Sequence, residues 1–267
     1  MLSEIQSQKI IFGTAKLHHI KENESFKKLI SKVLNANIKK FDIAPLYGFG
    51  RTEKRLSSVL YNNDCELNTK TGLYVPKLFL NNNSIEYFIK LMFKNIFFKN
   101  LIANKIDCEK QIICTHQLFN NKAKINSIFL HEPELDLISN KNKINQRIKM
   151  LSDFQKKYKI NNIGIAGEHV LKESNLYKNL KIDTIQTSAS TFMKTSYDNL
   201  IEILSCTKFL NLYGLRYQEQ IKFNQKMNSV LNNLSINLKV NFLISTKFPE
   251  NLNYILKEMT PILDNVN

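Results

Sequence analysis

The chain has 267 residues, 43% of them hydrophobic, a length and composition suited to one large domain with a substantial core. Its formal net charge of +15 invites a nucleic-acid partner, but only Arg51, Arg55, Arg147 and Arg216 are arginines, which leaves 38 − 4 = 34 lysines scattered along the chain. Nucleic-acid readers favour arginine for bidentate contacts, so no nucleic acid is expected, and the positive field suits an anionic ligand such as a pyrophosphate cofactor.

In chain order, "KIIFGTA" (9–15) is a short β-rich run, and the stretch 24–36 places Phe26, Leu29, Ile30, Val33 and Leu34 at helical spacing. "KKFDIA" (39–44) is the second strand, "RTEKRLSSVLYN" the next helix, and "CELNTKTG" (65–72) the third strand. "INSIFLHEP" (125–133) gives a fourth strand, "NQRIKMLSDFQKKY" a helix, and "INNIGIAG" (160–167) a fifth strand. A short helix around 169–177 leads to "DTIQTSAS" (183–190), and "YDNLIEIL" leads to "KFLNLYGL" (208–215). A helix near 219–233 precedes "KVNFLISTK" (239–247), and "PENLNYILKEM" closes the series with Pro249 in its first turn. Strands alternating with helices imply parallel pairing through right-handed crossovers. Eight such units at this length predict a single α/β domain over 1–267, a closed (β/α)₈ TIM barrel with outer helices.

Two glycines in "YGFG" (47–50) raise a phosphate-loop reading, but a dinucleotide fingerprint needs a third glycine where Glu53 stands. In a barrel, chemistry sits where strands end, and the polar residues there are Thr14, Asp42, Lys70, His131, Gln186 and Ser245–Lys247. Tyr47 follows Asp42 by five residues, on the loop above the same mouth. Singly, Asp42 reads as a loop cap, Lys70 as a solvated lysine and His131 as the end of a strand. Together, from three consecutive strands, they suit donation of a proton to a carbonyl oxygen. Lys70 is expected to lower the pKa of Tyr47, with Asp42 fixing Lys70 and His131 orienting a carbonyl.

The segments "FGTA" (12–15), "FDIAPLYGFGRTE" (41–53), "NTKTG" (68–72), "IFLHEP" (128–133), "IGIAG" (163–167), "IQTSA" (185–189) and "ISTKFPENL" (244–252) together resemble an aldo-keto reductase. The resemblance spans nearly the whole chain. It implies reduction of an aldehyde or ketone by NADP(H), with NAD(H) the alternative, and a catalytic set of Asp42, Tyr47, Lys70 and His131. It further implies cofactor contacts from Gly13, Thr14, Asp42, Gln186, Tyr213, Ser245, Thr246, Lys247 and Asn251. Two departures stand out. The Ser-Asn pair that commonly holds the nicotinamide carboxamide is replaced by Ala166-Gly167, and an expected arginine by Asn251 with Lys247 as substitute cation. Weaker cofactor binding than usual is therefore expected.

The interval between the third and fourth strands contains an apolar stripe, Ile85, Phe88, Ile89, Met92, Phe93, Ile96 and Phe97, on a helix expected over 84–105. It reads as a helix packed on the barrel, with a partner surface or a peripheral lipid contact as alternatives. After the last helix only "TPILDNVN" remains, which predicts an open mouth and a bulky polar substrate such as a sugar derivative. Four cysteines show no metal or CxxC spacing, so no metal is expected. No signal peptide or membrane span is visible, and a cytoplasmic protein is expected. Two other functional readings stay open: a non-catalytic nicotinamide-binding barrel acting as a regulatory or partner-binding subunit, and a Schiff-base lyase or isomerase using Lys70.

Overall fold

The structure, a computed structural model, describes residues 2–60, 64–73, 75, 102–120, 122–133, 135–172, 180–215, 220–234 and 237–265. Eight strands close into an all-parallel barrel in sequence order. They are β1 (Ile10–Gly13), β2 (Lys40–Asp42), β3 (Cys65–Thr71), β4 (Ala123–His131), β5 (Asn162–Ala166), β6 (Thr184–Ser188), β7 (Phe209–Tyr213) and β8 (Lys239–Ile244). The (β/α)₈ fold expected from the sequence is the fold observed.

The helices are α1 (Glu4–Gln8), α2 (Asn23–Asn35), α3 (Arg51–Val59), α4 (Lys105–Phe119), α5 (Leu135–Ser139), α6 (Lys141–Tyr158), α7 (Ala189–Lys194), α8 (Tyr197–Leu204), α9 (Gln220–Asn232) and α10 (Asn251–Asn265). On α2, Phe26, Leu29, Ile30 and Val33 are buried, the stripe that its sequence spacing predicts. Phe192, Phe223 and Phe242 form a continuous aromatic contact from α7 through α9 to β8, with ring centroids 5.8 and 6.1 Å apart. Each such buried ring contributes on the order of 2–3 kcal/mol of transfer free energy. The stripe expected at 84–105 lies almost wholly outside the described residues. So does most of the helix expected near 169–177. The closing segment differs from expectation: α10 runs through Pro261 to Asn265, taking in most of "TPILDNVN". Ile262 and Leu263 are 2% and 1% exposed, so apolar burial carries the helix past a residue that lacks an N–H donor.

Strand register places the polar residues of the mouth. Gly13, Asp42 and Asn68 lie on one rung across β1, β2 and β3, and His131, Ala166 and Gln186 on another across β4, β5 and β6. Lys70 stands two residues beyond Asn68, on the same face of β3.

Candidate active site

A cleft of about 390 Å³ opens at the strand ends, lined by Asp42, Tyr47, Lys70, His131 and Glu132 from the β2–β4 part of the barrel and by Gln186 and Tyr213 from β6 and β7. The loop after β2 carries Tyr47 into this cleft through an unusual backbone. Gly48, Phe49 and Gly50 all take positive φ, at 59°, 53° and 83°. Gly48 also meets the 3₁₀ turn at Leu17–His19 so closely that a Cβ would stand 2.6 Å from that of His18. Glycine is needed there for both reasons, and the turn fixes where the phenol stands.

Asp42 is the hub. It is 3% exposed, and its Oδ1 accepts from Lys70 Nζ at 2.5 Å and from Gln186 Nε2 at 3.0 Å. The Tyr47 hydroxyl donates to its Oδ2 at 3.3 Å. Thr14, fully buried, ties β1 to the same residue by donating Oγ1 and its backbone N–H to the Asp42 carbonyl, at 2.7 and 3.1 Å. Lys70, 2% exposed, also donates to the Ile43 carbonyl at 3.3 Å. The His131 ring sits edge-on to Tyr47, centroids 5.9 Å apart.

The expected tuning of Tyr47 by Lys70 needs correcting. No hydrogen bond joins the two; the ammonium lies over the phenol ring, 5.1 Å from its centroid, and Asp42 bridges them. Burial first, then the charge and hydrogen bond of Asp42, hold the Tyr47 hydroxyl well above its ordinary range. The phenol is therefore a firmly protonated acid. Burial lowers the Lys70 ammonium, and the carboxylates of Asp42, Glu132 and Glu53 oppose that shift.

Gln186 bears directly on whether a nicotinamide fits. It is 3% exposed and lines the cleft, its amide nitrogen is spent on Asp42, and its Oε1 has no hydrogen-bond partner among the described residues. A buried acceptor without a donor is costly, and a carboxamide N–H₂ would satisfy it. Tyr213, Gly13 and Ser245 line the same space. These residues fit the group.

Gly13, Asp42, Gln186, Tyr213 and Ser245 thus come together at the cleft. Thr14, Thr246, Lys247 and Asn251 stand outside its lining. Thr246 turns its hydroxyl onto the backbone of Phe248, and Lys247 lies exposed, 5.7 Å from the Phe248 ring centroid. Asn251 opens α10, exposed to solvent.

Three acids were not among the residues expected at the site. Glu53, 3% exposed on α3, accepts from Thr115 Oγ1 at 2.9 Å; burial raises its carboxyl to about 7, and Lys70 opposes that rise. Glu132 follows His131 directly. Glu168 accepts from Tyr213 at 2.8 Å and Ser188 at 2.7 Å, and also from Thr191. Adjacency to His131 was the one sequence signal for Glu132; nothing in the sequence marks the other two. Among the described residues no group of His, Cys, Asp or Glu is arranged to hold a metal, and no helix is long and apolar enough to cross a membrane.

Comparison with known proteins agrees with the fold. The model of the Aldo/keto reductase family matches residues 9–211. Among solved structures, a Pseudomonas aeruginosa protein described as an aldo-keto reductase superposes with a TM-score of 0.68 at 11% identity, covering 97% of this chain and 90% of its own. Glycerol dehydrogenase from Gluconobacter oxydans gives 0.63 at 13% identity, and the holo form of an aldo-keto reductase from Bacillus halodurans 0.60 at 12%, each with the same two coverages. No curated protein matches the chain by sequence.

Proposed function

This chain belongs to the aldo-keto reductase family of carbonyl oxidoreductases, and we propose that it reduces an aldehyde or ketone to an alcohol, with NADP(H) or NAD(H) as cofactor and Tyr47 as proton donor. The observation that carries the reading is the convergence on Asp42: one carboxylate binds an ammonium, a phenol and the amide of Gln186 at the wall of a single cleft. When bound, the cofactor supplies a hydride to the carbonyl carbon. The protein's part is proton management. Tyr47 holds a proton on its hydroxyl at ordinary pH, because burial and Asp42 both oppose its loss. As charge develops on a carbonyl oxygen at the cleft, that proton moves to it. The buried Lys70 ammonium then stabilises the phenolate left behind. His131, edge-on to Tyr47, orients the carbonyl.

Gln186, Tyr213, Gly13 and Ser245 would hold the nicotinamide end. Lys247, exposed beyond Ser245, would meet an adenosine 2′-phosphate with Thr246 and Asn251 nearby. The polar lip, with Lys16, Glu132 and Ser245, supports a hydroxylated substrate such as a sugar derivative. Titration of nicotinamide fluorescence with NADPH and NADH tests the reading. Saturable binding of at least one form, weaker than the low nanomolar range, is expected; saturation by neither would contradict it.

A further inference from the structure

Resting on the reading of the cleft as a nicotinamide site, we propose that Glu132 is a charge-selecting residue, which makes this protein bind the oxidised, cationic nicotinamide in preference to the reduced, neutral one. Four observations lead there. Glu132 lines the cleft immediately after His131, and its backbone is held at φ 41° by an N–H bond to the Ala166 carbonyl at 2.6 Å. A glutamate in the left-handed region is uncommon and costs free energy, so the surrounding structure fixes the backbone from which this side chain starts.

Second, Gly167 makes the room. A Cβ there would stand 2.7 Å from Glu132 Oε2 and 3.1 Å from its Cα. The carboxylate therefore lies against the end of β5, where the sequence departs from the Ser-Asn pair. Third, the carboxylate is oriented, since Oε2 accepts the backbone N–H of Glu168 at 3.3 Å. Fourth, its field reaches both phenols of the cleft, contributing to the raised pKa of Tyr47 and of Tyr213.

The charges facing the cleft do not cancel this effect. Asp42 and Lys70 neutralise one another as a buried pair. Among the described residues of the lining Lys16 is the other lysine; it is exposed, as Glu132 is, but Glu132 and not Lys16 is among the leading charges that act on Tyr47 and Tyr213. Glu132 is left as a directed negative charge, with Glu168 behind it. A charge difference of one between two ligands, felt across a partly solvated cleft, is worth about three- to tenfold in relative affinity.

The test compares dissociation constants of reduced and oxidised cofactor at pH 8, by nicotinamide fluorescence and by calorimetry respectively. The proteins are the wild type, Glu132→Gln and Glu132→Asn; asparagine tolerates the left-handed backbone, so one variant keeps the fold if the other strains it. The ratio of reduced to oxidised constants should fall about three- to tenfold in both variants, chiefly through weaker binding of the oxidised form. An unchanged ratio, or equal weakening of both forms, would overturn the role of Glu132 while leaving the nicotinamide site standing. Failure of the wild type to bind either form would overturn both.

Discussion

The two walls of the cleft each present a phenol hydrogen-bonded to a carboxylate, and they differ in what else the carboxylate holds. On one wall Tyr47 donates to Asp42, which also binds the buried ammonium of Lys70. On the other Tyr213 donates to Glu168, which is held by the hydroxyls of Ser188 and Thr191. Both phenols are pushed above the ordinary range, chiefly by burial. On the proposed reading, the first wall holds the Lys70 ammonium over the Tyr47 ring and on the far side of Asp42 from the hydroxyl, so a phenolate forming there has a buried cation nearby. Among the described residues the second offers no such cation, and on the same reading Tyr213 serves as a flat surface. On that reading a tyrosine beside an acid is not in itself an acid–base device, and the buried lysine makes the difference.

The sharpest way to break the comparison is to remove that cation. Lys70→Met should cut turnover by about 10²–10⁴-fold, the range for loss of assisted proton transfer. It should also destabilise the fold by about 3–5 kcal/mol in urea titration, because Asp42 would be buried without its partner. Turnover and stability near wild type would erase the distinction between the walls.

Glu53 probes the same wall from behind. Its folded carboxyl, raised to about 7 from an ordinary 4.5, binds its proton more tightly than the unfolded chain does. The resulting stability is fully present below about pH 4.5 and is lost as pH rises through about 7, a fall of roughly 3 kcal/mol. Glu53→Gln should flatten the stability profile across that window; an unaltered slope would contradict the assignment. A smaller effect is expected on the second wall. Tyr213→Phe removes one hydrogen bond worth about 1 kcal/mol, so a loss of about fivefold should fall on the Michaelis constant for cofactor rather than on kcat. A collapse of kcat would mean that both phenols act alike.

Much of this molecule is legible in its sequence, for reasons that particular residues make plain. The barrel shows through because short β-rich runs alternate with stripes such as Phe26, Leu29, Ile30 and Val33. Asp42, Lys70 and His131 show through because they stand at or next to the ends of consecutive strands. Helix α4 was not legible: its buried positions are Cys108, Ile112, Thr115 and Phe119, and a threonine and a cysteine break the apolar signal. The end of α10 was hidden by Pro261, which reads as a stop. Glu53 reads as an exposed first-turn acid, and only packing against Thr115 puts it inside. Nor does spacing reveal that Asp42 stands between Tyr47 and Lys70, because that is settled by side-chain reach across β2 and β3.

On the proposed function, the Tyr47 hydroxyl delivers the proton in a reduction carried out at this cleft. The most direct measurement is a single turnover: wild type and Tyr47→Phe, each loaded with reduced cofactor, are mixed with a panel of aldoses and ketoses while nicotinamide fluorescence is followed. Similar loading of the two proteins is expected, with decay in the wild type and decay at least about a hundredfold slower in the variant. Equal decay rates in the two loaded proteins would contradict that role of Tyr47.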